Sequence, residues 1–581
     1  MGTGMDQTAF DAVVVGSGFG GSVMTYRLAE AGLRVCLLER GQVYPPGSFP
    51  RSPYKMKRNF WDPSEGYYGL FNMWSFDNLG AVVSSGLGGG SLIYANVLIR
   101  KPKKWFVEED PISGERRSWP VQPDELDSHY KCVEDMLSVQ QYPFTRKPYS
   151  DTPKTREFKA AAEKLGLKWE LPNLAVSFAN EGQEPGEPIQ EAPNIHESPR
   201  YTCRLVGECN IGCNYGSKNT LDLTYLSEAA KLPNVDIRCL CEVRSFEPRS
   251  GGSSDSEGYT VYYVKHDLRH EGKKIDTHDP TILQPRSVTT KRLILAAGTL
   301  GSTFLLLKMR RENPRAFSKL STQLGKRFGG NGDFLMLATS AKDSTSGKKE
   351  PRILDPSYGP VITSTVRVPS SEEGGKGRGH YVQDAGYPEF VNWNLRSLNT
   401  PLKAARFIRF FWKWLDRDPE TDMGAEAAGL FGKAERSASL LPFLGMGRDV
   451  PDGGMELRDG KLNVDWHSKA SRPYFLGVRD TMRALAGKLE ARIWDTPLWW
   501  LSRYITVHPL GGCPMGETDT EGVVDPYGKV INYNRLYVAD GSVMPGPVGP
   551  NPSLTIAALA DRFADRIIEE HTDEITKKET I

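Results

Sequence analysis

The chain reads as an α/β protein, α+β overall. The expected architecture is a Rossmann-like dinucleotide-binding domain with an interleaved substrate domain on a mixed or antiparallel sheet. Three observations predict it. A buried-strand run at residues 10–15 leads into Gly16-Ser17-Gly18-Phe19-Gly20-Gly21 and a helical pattern to Ala31. A second apolar run, Lys291-Arg292-Leu293-Ile294-Leu295-Ala296-Ala297-Gly298, ends in small residues before another helical pattern. A third, Leu536-Tyr537-Val538-Ala539, ends in Asp540-Gly541-Ser542, so the C-terminal stretch returns to the unit that the N-terminus begins.

The first unit is the most specific. A second strand, residues 34–38, ends in Glu39-Arg40-Gly41. Gly16 permits the tight turn, Gly18 lets backbone approach a pyrophosphate, and Gly21 lets helix and strand pack closely. Glu39 is placed to accept both hydroxyls of an adenosine ribose, and an acid there disfavours a 2′-phosphate. This unit alone leaves NAD and FAD open. A second glycine-rich loop, Gly86-Leu87-Gly88-Gly89-Gly90-Ser91, has no lysine to make it a P-loop and suits backbone pressed against a flat ligand. Residues 105–137 look helical and polar, opening at Pro123-Asp124-Glu125, and residues 180–200 read as a Pro/Glu-rich surface loop. Residues 235–247 and 259–264 alternate like strands around a flexible hairpin tip. From about 330 to 469 strand-like pieces (361–368, 380–382, 389–392) are broken by loops. Residues 1–150, 201–329 and 470–581 are therefore expected in the cofactor unit, and 151–200 and 330–469 in the substrate unit.

Composition bounds the function class. A chain of 581 residues suits two interleaved domains with a large core. Its formal net charge of +1 gives no reason to expect a nucleic-acid partner. No run of eighteen apolar residues is present, as a membrane-crossing helix would need. The N-terminus shows no secretion signal, Asp6 stands where myristoylation needs Ser or Thr, and the last residues are not SKL, so a cytoplasmic location is expected. Eight cysteines are too few for a disulfide scaffold. Cys203, Cys209 and Cys213, with Cys239 or Cys241 as an added ligand, match no usual cluster spacing, so buried thiols are expected there rather than metal.

Near the C-terminus, Thr506-Val507-His508-Pro509-Leu510-Gly511-Gly512-Cys513 offers a titratable nitrogen. A Pro/Gly-rich turn then presents Asn551 before Pro552-Ser553 and a helical run. Such a corner points free N–H groups and the positive end of a helix dipole at whatever sits there.

GSGFGG with Glu39, GLGGGS, KRLILAAGTLGS, HPLGGC and ADGSVMPGPVGPNPSLTIAALADRFADRI together resemble the glucose–methanol–choline (GMC) oxidoreductases, in the family's order. HPLGGC with an Asn-Pro turn, and CNIGCNYGSKNTLDLTYL, resemble its cholesterol-oxidase-like branch. The resemblance implies FAD rather than NAD. It places the flavin along Gly16, Gly18, Phe19, Gly20 and Gly21, and at Glu39 and Arg40. Gly89, Gly90, Tyr94, Asn96 and Val97 are expected on the glycine-rich loop and Val243 at the adenine. Gly298, Asp540, Gly541, Asn551, Pro552 and Ser553 complete the set. Some relatives bond the flavin to a loop histidine; residues 82–91 contain none, so noncovalent FAD is expected.

The chemistry agrees with the resemblance. Alcohol oxidation needs the hydroxyl proton removed while the carbon-bound hydride leaves for flavin N5. His508 can hold the hydroxyl and take its proton. Asn551 can only hydrogen-bond the same oxygen or polarise the flavin. The expected activity is oxidation of a bulky, apolar, steroid-type alcohol, with O2 or another electron acceptor. Another lipophilic or long-chain alcohol is the first alternative, and a non-redox flavoenzyme the second. In His380-Tyr-Val-Gln-Asp-Ala-Gly-Tyr-Pro388, Gln383 falls where the resemblance expects the glutamate that shifts a steroid double bond. Asp384, one residue on, is expected on the other strand face, so isomerisation is not expected. Finally, residues 403–415 place Phe407, Phe410, Phe411 and Trp414 on one helical side, flanked by Arg406, Arg409 and Lys413. That stripe reads as an ordinary core face more often than as a peripheral contact with a lipid interface.

Overall fold

The computed structural model describes residues 8–109, 113–249, 257–388, 438–466, 469–495 and 504–579. Two sheets organise them. In the first, strands run in the order Val235–Arg238, Val35–Leu38, Ala9–Val15, Pro285–Leu295, Tyr259–Lys265, Cys241–Pro248, and Leu536–Val538 also pairs with Pro285–Leu295. Its centre is parallel and its last two neighbours antiparallel. Apart from the edge strand Val235–Arg238, the parallel strands are largely buried on both faces, which is why their sequences are apolar runs rather than alternating ones. The Rossmann-like α/β unit expected from sequence is therefore present, and the C-terminal strand joins it in register, Leu295 opposite Val538.

Close approach explains two of the glycines in the first turn. Gly16 has φ +98°, and a Cβ there would lie 2.4 Å from the Ala296 carbonyl oxygen. On Gly20 a Cβ would fall 1.5 Å from the Ala539 oxygen. The helix Phe19–Glu30 is thus wedged against the ends of two strands far away in sequence. The long C-terminal helix Ser553–Glu579 packs beside it, where Arg27 pairs with Asp561 and Asp565.

The second sheet has the order Lys168–Glu170, Thr365–Val368, His380–Asp384, Leu441–Gly447, Phe334–Thr339, Arg492–Asp495, antiparallel throughout. Helix Arg472–Lys488 covers it through Phe475, Val478, Met482 and Leu485, and helix Pro153–Glu163 adds Phe158 against Phe443. Residues 472–495, expected from sequence in the cofactor unit, thus give this sheet a helix and an edge strand. The helical expectation for 105–137 is corrected as well. Val107–Glu109 and Arg116–Ser118 form a short hairpin, and the α-helix covers only Asp127–Met136 after a capping box at Gln122 and Glu125. Residues 389–392 and 403–415 lie outside the described residues. No helix among the described residues is long and apolar enough to cross a membrane.

Candidate active site

Strand Tyr504–Thr506 runs parallel to Leu79–Ser84. His508 and the glycine-rich loop therefore leave the same end of one small sheet. His508 Nδ1 lies 2.7 Å from Asp333 Oδ1. Asp333 Oδ2 accepts from Thr506 Oγ1 (2.9 Å), Val507 N (2.8 Å) and His508 N (3.2 Å). Asp333 ends the loop Gly329-Gly330-Asn331-Gly332-Asp333, directly before a strand of the second sheet.

The same loop reaches Asn551. Asn331 Oδ1 accepts from Gly549 N (2.8 Å) and Asn331 Nδ2 donates to Pro550 O (3.0 Å), pinning the turn before Asn551. The buried Lys101 ammonium holds that turn from the other side through the Pro547 and Val548 carbonyls, at 2.7 and 3.0 Å. Asn551 Oδ1 accepts from Gln383 Nε2 at 2.8 Å. With its oxygen so occupied, the Nδ2 hydrogens are the part of Asn551 left for a ligand. Gln383 Oε1 is buried with no hydrogen-bond partner among the described residues.

Asp384 points elsewhere. Its Oδ1 accepts from Thr363 N (3.0 Å) and Ser364 N (2.7 Å), and its Oδ2 from the Thr363 and Thr155 hydroxyls. The period of two along the strand separates the two side chains as the sequence predicts. A third carboxyl, Asp449, lies under the loop and accepts from Gly330 N at 2.8 Å. Burial pushes it up to about 7, against the pull of the Gly330 and Gly332 amides and Arg378, and with a further push from Asp333.

The residues expected at the cofactor fit a flat, phosphate-bearing group. A Cβ added at Gly18, Gly90 or Gly298 would meet nothing within 4 Å, unlike at Gly16, Gly20 or Gly21. Gly18 caps helix Phe19–Glu30 and leaves its first amides unpaired by side chains. On the glycine-rich loop, Gly89 (φ +53°) presses on Gly18, where a Cβ would lie 2.6 Å from its Cα. The Tyr94 hydroxyl is buried with no hydrogen-bond partner among the described residues, as a group awaiting a ligand would be, and the buried Asn96 amide lies beside the Cys209 thiol. Val97 is buried in the short strand after the loop.

Glu39 is buried and accepts from Ser17 N (3.0 Å), Ser17 Oγ (2.6 Å) and Gly41 N (2.8 Å). The Glu39 carbonyl accepts from Cys241 N at 2.8 Å, placing Val243 on the strand beside it. Arg40 lies over the Trp61 ring, 5.3 Å from its centroid. Asp540 differs from expectation in one respect. Its carboxylate is filled by Ser302 Oγ, Ser542 N and Oγ, and Gly298 N, so it caps helix Gly298–Glu312. Pro552 and Ser553 are buried where the C-terminal helix opens.

Cys203 and Cys209 are buried, and no group of three or more His, Cys, Asp or Glu side chains placed to hold a metal occurs among the described residues. The segment's structural work is done by Lys218. Its buried ammonium donates to Leu92 O (3.1 Å), Tyr94 O (3.0 Å) and Cys209 O (2.7 Å), tying the cysteine segment to the glycine-rich loop. Asp333, Asn331, Asp449 and Lys218 are absent from the expected site residues. The Gly-Gly-Asn-Gly-Asp run was the available signal for the first two, whereas nothing local marks Asp449 or Lys218.

Residues 493–560 match the C-terminal domain of GMC oxidoreductases, and residues 14–47 match the NAD(P)-binding Rossmann-like domain. A cholesterol oxidase of Mycobacterium tuberculosis is 28% identical over 96% of this chain and 90% of its own length. One of Acinetobacter baumannii is 27% identical over 97% and 95%. The long-chain-alcohol oxidase FAO4B of Arabidopsis thaliana is 24% identical over 96% of this chain and 67% of its own. The crystal structure of pyridoxine 4-oxidase from Mesorbium loti superposes with a TM-score of 0.57 at 15% identity, covering 96% and 98% of the two chains. Fold, motif order and these likenesses converge: the chain is similar to the GMC oxidoreductases and, among them, to the cholesterol oxidases.

Proposed function

We propose that this protein oxidises a bulky, lipophilic secondary alcohol to a ketone, using a noncovalently bound FAD. The observation that carries the reading is that one loop, residues 329–333, is tied both to His508 and to the turn that presents Asn551. When bound, the flavin supplies the two-electron acceptor for the carbinol hydride. His508 holds the substrate hydroxyl and takes its proton at Nε2. Asn551 donates from Nδ2 to the same oxygen, a contribution of about 2–4 kcal/mol in comparable electrostatic roles. The substrate thus loses one proton and one hydride and becomes a carbonyl compound.

A steroid-type substrate is supported by the cholesterol oxidases among the relatives, and a long-chain primary alcohol by the plant alcohol oxidases. Mixing the purified protein anaerobically with a panel of sterols and fatty alcohols separates the two. The expected result is bleaching of the visible flavin band by sterols, lost by about 10²–10⁴ in rate on His508→Ala with flavin retained. Bleaching by fatty alcohols alone moves the assignment to the second class. No bleaching by either, or an unchanged rate in His508→Ala, refutes the reaction. Admitting air afterwards and assaying peroxide tests O2 as the acceptor.

A further inference from the structure

We propose that Asp333 is the positioning residue of this site: it holds His508 in the Nδ1-protonated tautomer, so that Nε2 presents a lone pair to the substrate hydroxyl. This rests on the role given to His508 above.

The hydrogen-bond inventory around Asp333 carries the inference. Two of the groups on Oδ2, Val507 N and His508 N, are backbone amides and can only donate. Thr506 Oγ1 adds a third contact to the same oxygen. A carboxylate accepts on both oxygens, so the 2.7 Å contact at Oδ1 is a donation from His508 Nδ1–H. The neutral ring has one proton, and with that proton on Nδ1 the other nitrogen is left free to act as a base. Accessibility points the same way, since the Asp333 side chain is 4% exposed and that of His508 16%. The carboxylate sits behind the ring and acts through it.

The loop is built to keep Asp333 in place. Gly332 has φ +69°, and a Cβ there would lie 2.3 Å from the Tyr474 hydroxyl oxygen. That hydroxyl donates to Gly332 O at 3.0 Å. Asn331, two residues before Asp333, fixes the Asn551 turn, so a shift of the loop would displace both candidate groups together. The titratable and charged groups facing Asp333 are His508, Asp449 and Tyr474, with Arg378 beyond Asp449.

The test is Asp333→Asn, which is isosteric. Its amide oxygen can still accept from the three donors, while its NH2 meets Nδ1, makes that nitrogen an acceptor and moves the proton to Nε2. The variant is expected to bind FAD, to reduce it about 10²–10⁴-fold more slowly, and to shift the acid limb of its pH–rate profile to lower pH. In histidine ¹⁵N NMR, the His508 ring, assigned by its loss in His508→Gln, is expected to be Nδ1-protonated in the wild type and Nε2-protonated in Asp333→Asn. A wild-type rate and pH profile in Asp333→Asn overturns the proposal, as does an Nε2-protonated ring in the wild-type protein. The wild-type spectrum decides alone if the variant does not fold. Activity lost in His508→Gln but kept in Asp333→Asn sinks this inference and leaves the reaction standing. Activity kept in His508→Gln sinks the reaction itself.

Discussion

At the residue scale, one strand position bears on whether a steroid product of the proposed reaction would be rearranged. Gln383 is the side chain that the second sheet sends to Asn551, and an amide has no basicity to move a proton between carbons. Asp384 is turned to the opposite face and its oxygens are filled by Thr363, Ser364 and Thr155. On any 3β-hydroxy-5-ene steroid the protein accepts, the direct product is therefore expected to keep its double bond in place. Chromatography of early time points checks this, and a conjugated enone formed at the rate of oxidation would reassign the base to Asp384. Asp449 gives a second expectation. Its folded-state value of about 7 lies above the ordinary carboxyl range near 4, so the native protein binds more protons than the unfolded chain between those values. Its contribution to stability is complete below about pH 4 and is lost as pH rises through about 7. Asp449→Asn should thus raise Tm at pH 8, with little change at pH 4, and thermal melts at the two pH values read the difference directly.

At the scale of elements, the glycine-rich loop depends on a distant lysine. Lys218 comes from the segment after the cysteines, yet its ammonium satisfies the carbonyls of Leu92 and Tyr94 on the loop and of Cys209 opposite. Burial depresses it to about 8, against an opposing pull that includes the Asp222 carboxylate. Lys218→Met keeps the apolar stem and removes the three donors. Each buried acceptor left unsatisfied costs about 1–3 kcal/mol, so a loss of at least about 3 kcal/mol is expected, with weaker flavin binding. Denaturant unfolding and flavin titration measure the two effects. An unchanged midpoint would mean that these carbonyls find other partners.

At the scale of the whole molecule, the residues expected to face the flavin are gathered from the N-terminal unit, the 86–97 loop, the strand-to-helix junction at 296–298 and the last eighty residues. Packing joins these pieces. Gly20 admits the Ala539 carbonyl, and Gly16 that of Ala296. No histidine lies in residues 82–91, so acid or heat is expected to release intact FAD into the supernatant. Flavin that stays with the precipitated protein would show a covalent link at another position.

The amino-acid sequence by itself determined the cofactor unit. Its central parallel strands are largely buried on both faces, and their signals (an apolar run, a glycine turn, a closing acid) are local, so each could be recognised without knowing its neighbours. The opposite facing of Gln383 and Asp384 was legible for the same reason, through a period of two, and a short motif singled out His508 and Asn551 as candidates. Tertiary structure alone decided who touches whom. Asp333 pairs with a histidine 175 positions away and Gln383 with an asparagine 168 away, and no local pattern encodes such separations. Helix Arg472–Lys488 and strand Arg492–Asp495 went to the second sheet because their apolar face and open edge are satisfied there, a choice made by packing rather than by propensity.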